Sequence, residues 1–348
     1  MTNKTSKISG LIQSLFGNLK RLLQVPSSSV PAGQVPGPVS ALGTRLEPAR
    51  LISPRVLLIV FDPVMDLSSG ERLSRKMNWP RVDDLVTGFI TDIAETSTGL
   101  ARYQVVERVD LNEFPAKTDG FRYDPEGYMA VLRGAAPHTP SMVDYNSILD
   151  RFNIIERVNN REIDEVWLFG FPQAGFYESR MAGKGAFWCN SPALEKTSIC
   201  ERKFIIMGFS YERRVGEMLE SFGHRCESIL IKTFENVRPE VNLYEKFSRY
   251  DQKNPGKAEV GNIHFAPNSE SDYDWNNLRM VSSHCDDWLH FPNLTGLGRQ
   301  VNSDEWGNGD IRLHHKWWLH HLPRVAGRTG QIANNWWQYI LDPNLIGL

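Results

Sequence analysis

Three nearly uninterrupted apolar runs of strand length restrict what this chain can fold into. They are Arg55–Phe61 (RVLLIVF), Glu165–Gly170 (EVWLFG) and Lys203–Gly208 (KFIIMG). Runs without polar alternation fit strands covered on both faces, the habit of parallel sheets. Helical stripes lie between them. Val82, Leu85, Val86, Phe89, Ile90 and Ile93 recur at i, i+3, i+4 spacing, as do Ile148, Leu149, Phe152, Ile155 and Val158. Tyr103–Val109 gives a further strand. Val215, Met218, Leu219 and Phe222 predict a helix ending at Gly223 as its capping glycine, with a last strand over Ile229–Thr233. Asn112–Pro140, polar and rich in turn formers, is expected to be an insertion over one sheet edge. The pattern predicts an α/β fold, a doubly wound and mostly parallel sheet, over residues 47–235.

Two strand ends echo each other. Gly175-Phe176-Tyr177-Glu178-Ser179-Arg180 follows one run and Gly208-Phe209-Ser210-Tyr211-Glu212-Arg213 closes another. Open α/β sheets bind ligands beyond the carboxyl ends of their strands. Glu178 and Glu212 are therefore the acid/base candidates, with Arg180, Arg213 and Tyr177 to bind substrate. Ion pairs that merely order the loops are the competing reading. No G-x-G-x-x-G, Walker A or G-x-S-x-G sequence occurs, which removes the main support for dinucleotide, ATP and serine-hydrolase chemistry.

Composition shifts after residue 235. Seven of ten tryptophans and seven of nine histidines lie beyond residue 260. Residues 236–348 are expected to be a loop-dominated, Trp/His/Asn-rich elaboration packed on the sheet. Asp286 and Asp287 join the catalytic candidates, and His314 and Trp318 the substrate-binding ones. Tryptophan faces with Asn, Asp and His suit a sugar, and paired carboxylates suit a glycosidase; for any single tryptophan a place in the core is the preferred reading. His264, His284 and His290 are candidate ligands for zinc or another divalent metal, none favoured, since no H-E-x-x-H spacing supports them. A Cys285 nucleophile is a further chemical option.

Residues 1–46 contain no acid. Ile8, Leu11, Ile12, Leu15, Phe16, Leu19, Leu22 and Leu23 predict an amphipathic basic helix over residues 1–24, followed by a Pro/Ser/Gly linker over residues 25–46. Such a helix suits docking through residues 8–23 to a membrane surface or a protein partner; packing on its own domain is the alternative. A formal net charge of −2 over 348 residues gives no basic field for nucleic acid. The four cysteines are expected to be reduced thiols of a cytoplasmic protein, a Cys189–Cys200 bridge being the alternative.

The sequences FYESRMAG, FWCNSP, SSHCDDW, HHKWW and NNWWQYI resemble those of a family of uncharacterised bacterial proteins, over roughly residues 160–345. The resemblance implies a body that is one unit and brings no activity with it. Two readings follow: a hydrolase of a polar substrate such as a glycan, or a non-catalytic protein docked through its first helix.

Overall fold

Residues 50–348 are described by a computed structural model; the expected helix over residues 1–24, with its docking stretch 8–23, and the linker over residues 25–46 lie outside the described residues. Arg55–Phe61 (β1) is buried along all but its first residue. Its side chains alternate between two cores. Val56, Leu58 and Val60 face one, and Leu57, Ile59 and Phe61 face the other. A strand hidden on both sides leaves no position for polar alternation, which explains the apolar run.

The remaining sheet strands are Gln104–Leu111 (β2), Glu165–Gly170 (β3), Ser179–Ala182 (β4) and Phe204–Ser210 (β5), in the spatial order β2-β1-β3-β5-β4. All neighbours are parallel except β4, which runs antiparallel along β5 with Ser179 opposite Met207. The sheet is therefore mostly parallel, as expected. β4 has no counterpart among the expected strands, because four residues, SRMA, give no periodic signal.

Helices cover both faces. Val82–Thr96 (α1) lies against the first core through Leu85, Phe89 and Ile93. The insertion holds a helix, Pro125–Leu132 (α2), capped by Asp124, whose carboxylate accepts from Gly127 N at 2.7 Å. Its Tyr128 packs with Phe114 and Phe171 in the second core. The segment thus contributes aromatics to the interior. The stripe over 148–158 is two helices, Tyr145–Arg151 (α3) and Ile154–Asn159 (α4), interrupted at Asn153, whose φ is 50°.

The expectations around Gly223 fail. Val215–Thr233 (α5) is one helix of 19 residues, and Ile229–Thr233 is its last turn rather than a strand. Cys226, Ile229 and Leu230 continue the buried stripe begun by Val215, Met218 and Phe222. Gly223 sits mid-helix because a Cβ there would lie 2.2 Å from Ile263 Cδ1. It is a close-approach glycine, not a cap.

The C-terminal region has short helices, among them Cys285–Leu289 (α6), Ile311–His320 (α7) and Trp337–Leu341 (α8). Its tryptophans are core. Trp288, Trp306, Trp318, Trp336 and Trp337 are at most 1% exposed. Phe247 packs edge-on against Trp288, Trp318 and Trp336 at 5.1–5.7 Å. Full burial of one large apolar side chain is worth about 1.5–3 kcal/mol, so these rings add much to the cohesion of the region's core. One core cluster runs from Val56 through Phe222 to Trp337, joining sheet and elaboration. Arg225, on α5, ties the same parts together. Its guanidinium holds Glu165 at the start of β3 at 2.5 and 2.8 Å and donates to the Ile340 carbonyl of α8 at 2.7 Å.

Candidate functional site

A cavity of about 170 Å³ opens at the carboxyl ends of β3 and β5. Glu178, Glu212, Arg213, Glu217 and Ser221 supply its charged and polar lining, and Phe176 and Phe209 part of its apolar wall. The convergence follows from topology. β4 runs antiparallel to β5, so residues just before β4 lie beside the carboxyl end of β5. The Gly208 N–H donates to the Glu178 carbonyl at 3.1 Å. Only glycine fits at 208, where a Cβ would stand 2.3 Å from the Tyr177 carbonyl oxygen.

The charge pairing crosses between the two sequence echoes. Glu178 is met by Arg213 from the other echo, at 3.6 Å, and accepts from the Asn190 amide at 2.7 Å. Arg180 points elsewhere: it lies over the rings of Tyr145 and Tyr177 and donates to the Pro192 carbonyl. Arg180 and Tyr177 therefore order the sheet edge and are not among the residues lining the cavity. Glu212 stands exposed at the rim. The partial desolvation of its carboxyl raises its proton affinity, opposed by Arg213.

Beyond Arg213 lies a second cluster. Arg213 Nη2 is 3.8 Å from Glu220 Oε2. Glu220, His224 and Glu227 share one face of α5 at helical spacing. His264, from the loop after residue 260, places Nε2 3.2 Å from Glu220 Oε1 and Nδ1 3.0 Å from Asp272. His224 directs Nε2 to the same Glu220 oxygen at 4.0 Å and Nδ1 to Glu227 at 3.0 Å. The Tyr273 hydroxyl donates to Glu220 Oε1 at 2.8 Å. Burial alone would lower the proton affinity of His264; its bonds to Asp272 and Glu220 reverse this and push it up to about 10. Burial likewise works against the Glu220 carboxylate, but His264 and the neighbouring imidazoles hold it down at about 2.

Other candidates have different surroundings. Asp286 is gripped by Arg299 at 2.7 and 3.0 Å. Asp287 accepts from Thr295 N, Thr295 Oγ1 and Gly296 N, which orders that loop. Neither lines the cavity. Trp318 is fully buried and donates to the Gly261 carbonyl, so it offers no face to a substrate. His314 is also fully buried, stacked on Trp275 at 4.7 Å, and burial pushes its proton affinity far down. Of the expected metal trio, only His264 enters a group of convergent ligand atoms. His284 bonds the Ala258 carbonyl through Nδ1, and His290 is exposed. Two groups among the described residues could hold an ion: Glu220 with His224 and His264, and Cys285 with Asp286 and His321. The Cys285 thiol is raised to about 11 by burial, which disfavours a thiolate nucleophile. All four cysteines are free and buried, so no bridge joins Cys189 to Cys200.

Glu220, His224, Glu227 and Tyr273 are the residues that sequence reasoning missed. A helix stopped at Gly223 separates Glu220 from His224. Carried through, the i, i+4 spacing puts both on one face. A second cavity of equal volume lies at the opposite end of the sheet, where Arg202 pairs with Asp164 and Arg225 with Glu165. Its lining carries five basic side chains (Arg50, Arg161, Arg202, Lys203 and Arg225) and three acidic ones (Asp164, Glu165 and Asp342), and it lies away from the strand ends where such folds bind ligands.

No protein-family model, curated protein or solved structure matches the chain. Among the described residues no helix is long and apolar enough to cross a membrane.

Proposed function

We propose that the protein is a hydrolase acting on a polar substrate at the cavity beyond β3 and β5. The observation that carries this reading is the meeting of Glu178, Glu212 and Arg213, from two separated strand ends, on one cavity. Glu212, whose proton affinity is raised, is the general acid that gives its proton to the leaving group. Glu178, held by Asn190 and Arg213, is the general base that takes a proton from the attacking water. Arg213 also offers donors to an anionic group of the substrate. The cavity is small for a pocket that engulfs a whole ligand, so the reacting group enters and the rest of the substrate stays outside. The tryptophans that suggested a sugar platform are core, which widens the substrate class from glycans to small polar ester, phosphoester, amide or glycosidic linkages.

The test is a substrate screen over those four linkages with the full chain, beside Glu178→Gln and Glu212→Gln. Turnover on one class, reduced about 10²–10⁴-fold in each variant, is the expected result. Turnover that survives both substitutions, or none on any class, rejects the proposal.

A further inference from the structure

We propose that Glu220, His224 and His264 form a divalent transition-metal site, with zinc the ion their chemistry fits best. The inference does not rest on the hydrolase reading, because it is tested by binding and not by turnover.

Two imidazoles and one carboxylate are a zinc donor set. A tetrahedral ion at 2.0–2.2 Å from each ligand holds neighbouring donor atoms about 3.4 Å apart. Here His264 Nε2 lies 3.2 Å and His224 Nε2 4.0 Å from Glu220 Oε1, and all three ligand atoms fall within 4.8 Å of one another. Closing the set needs shifts under about 1 Å per side chain, within ordinary rotamer adjustment.

The surrounding bonds are the stronger argument. Each histidine turns Nδ1 to a carboxylate at 3.0 Å, His224 to Glu227 and His264 to Asp272. Metal-binding histidines almost always use their other ring nitrogen in this way, which fixes the tautomer and the ring orientation. With Nδ1 turned outward, Nε2 of both rings faces Glu220; in the metal-free chain His264 Nε2 holds a proton against that carboxylate, and an ion binds by displacing it. Two carboxylate–histidine pairs aimed at a third carboxylate form a ligand shell together with its support. The support is itself anchored: Glu227 also accepts from Ile263 N at 3.1 Å, and Tyr273 fixes Glu220.

The remaining geometry agrees. Two ligands stand one helical turn apart on the 19-residue α5, a rigid base. The His224 and His264 side chains are 16% and 17% exposed, enough for an ion to enter. Three protein ligands leave a fourth tetrahedral position, as in catalytic rather than closed structural sites. Arg213, which touches both Glu220 and Glu178, places the ion one side chain from the cavity. The second candidate group lacks these features. Both oxygens of Asp286 are engaged by Arg299, and the Cys285 thiol is held protonated.

The experiment uses the full chain, stripped with chelator, dialysed and titrated with zinc chloride. Metal content is read by plasma mass spectrometry, and a parallel titration with cobalt(II) chloride is read by visible absorption. One zinc per chain is expected, with a cobalt spectrum of low coordination number. His264→Gln should lose both signals. Glu227→Gln and Asp272→Asn should weaken zinc about 10- to 100-fold, as loss of a supporting carboxylate does. Cys285→Ser should bind as the parent does. Circular dichroism melts show which variants are folded; should His264→Gln not fold, the two supporting variants decide. Failure of the parent to retain zinc, undiminished binding in the folded His264→Gln or in both supporting variants, or loss of binding in Cys285→Ser overturns the assignment.

Discussion

Replacing Arg225 should be among the most damaging single changes available in this chain. Its side chain is fully buried, and Glu165 is only 2% exposed. Glu165 also receives the Tyr103 hydroxyl at 3.1 Å and the Trp167 indole at 3.2 Å. Arg225→Met keeps most of the aliphatic stem but leaves a carboxylate in the interior and removes both bonds to the Ile340 carbonyl. Removing one partner of a buried pair costs about 3–5 kcal/mol. That is a large part of a typical domain's stability of about 5–15 kcal/mol. Glu165→Gln should cost a similar amount by stranding the guanidinium. The double variant has neither charge, so its cost should fall below the sum of the two by about 2 kcal/mol or more. Urea unfolding of the four proteins, with unchanged denaturant dependence as the control, measures the cycle. A cost below about 1 kcal/mol for Arg225→Met, or additivity within about 0.5 kcal/mol, would show that the network does not hold the sheet to the C-terminal region.

Two further changes test the interior. Gly223→Ala should gain about 1 kcal/mol of helix propensity, yet the clash with Ile263 should make it net destabilising by about 1–3 kcal/mol; a raised melting temperature would refute the packing reading, and Ile263→Ala in the same chain should relieve the loss. Lys117 is 1% exposed and donates to the carbonyls of Ser141, Gln173 and Ala174, so Lys117→Met should cost about 3 kcal/mol near pH 7 by stranding buried acceptors. Burial pushes this ammonium down to about 8. The native state then releases the proton before the unfolded chain, whose lysines titrate near 10.4, so the stability of the parent relative to Lys117→Met should rise between about pH 8 and 10. A difference that stays flat or shrinks in urea unfolding across that range would contradict it.

The sheet was legible because strands hidden on both faces must be apolar, and β1, β3 and β5 carry that mark. β4 was not, since an edge strand of four residues needs only a partner's backbone. The site was half legible. Glu178, Glu212 and Arg213 follow apolar runs, and position alone marked them. Glu220, His224 and Glu227 were hidden by one glycine. In sequence Gly223 resembles a stop, and only the approach of Ile263, forty residues on, shows why a side chain is missing there. Trp318, expected to bind substrate, misled for a related reason, although core is where the preferred sequence reading puts each single tryptophan. Exposure is not written in a residue's type, and the same rings that could stack on a sugar here fill the interior.

The pairing of α5 with later segments also has a consequence for synthesis. Residues are made in order, and α5 carries Glu220 and Arg225 well before some of their partners exist. His264 follows Glu220 by 44 positions, and Ile340 follows Arg225 by 115. Until those segments leave the ribosome, the helix that lies at the centre of the molecule shows water the apolar stripe later covered by the C-terminal tryptophans. Completion of this fold thus waits until residue 340 has been made, and a shorter nascent chain holds α5 with part of its stripe uncovered.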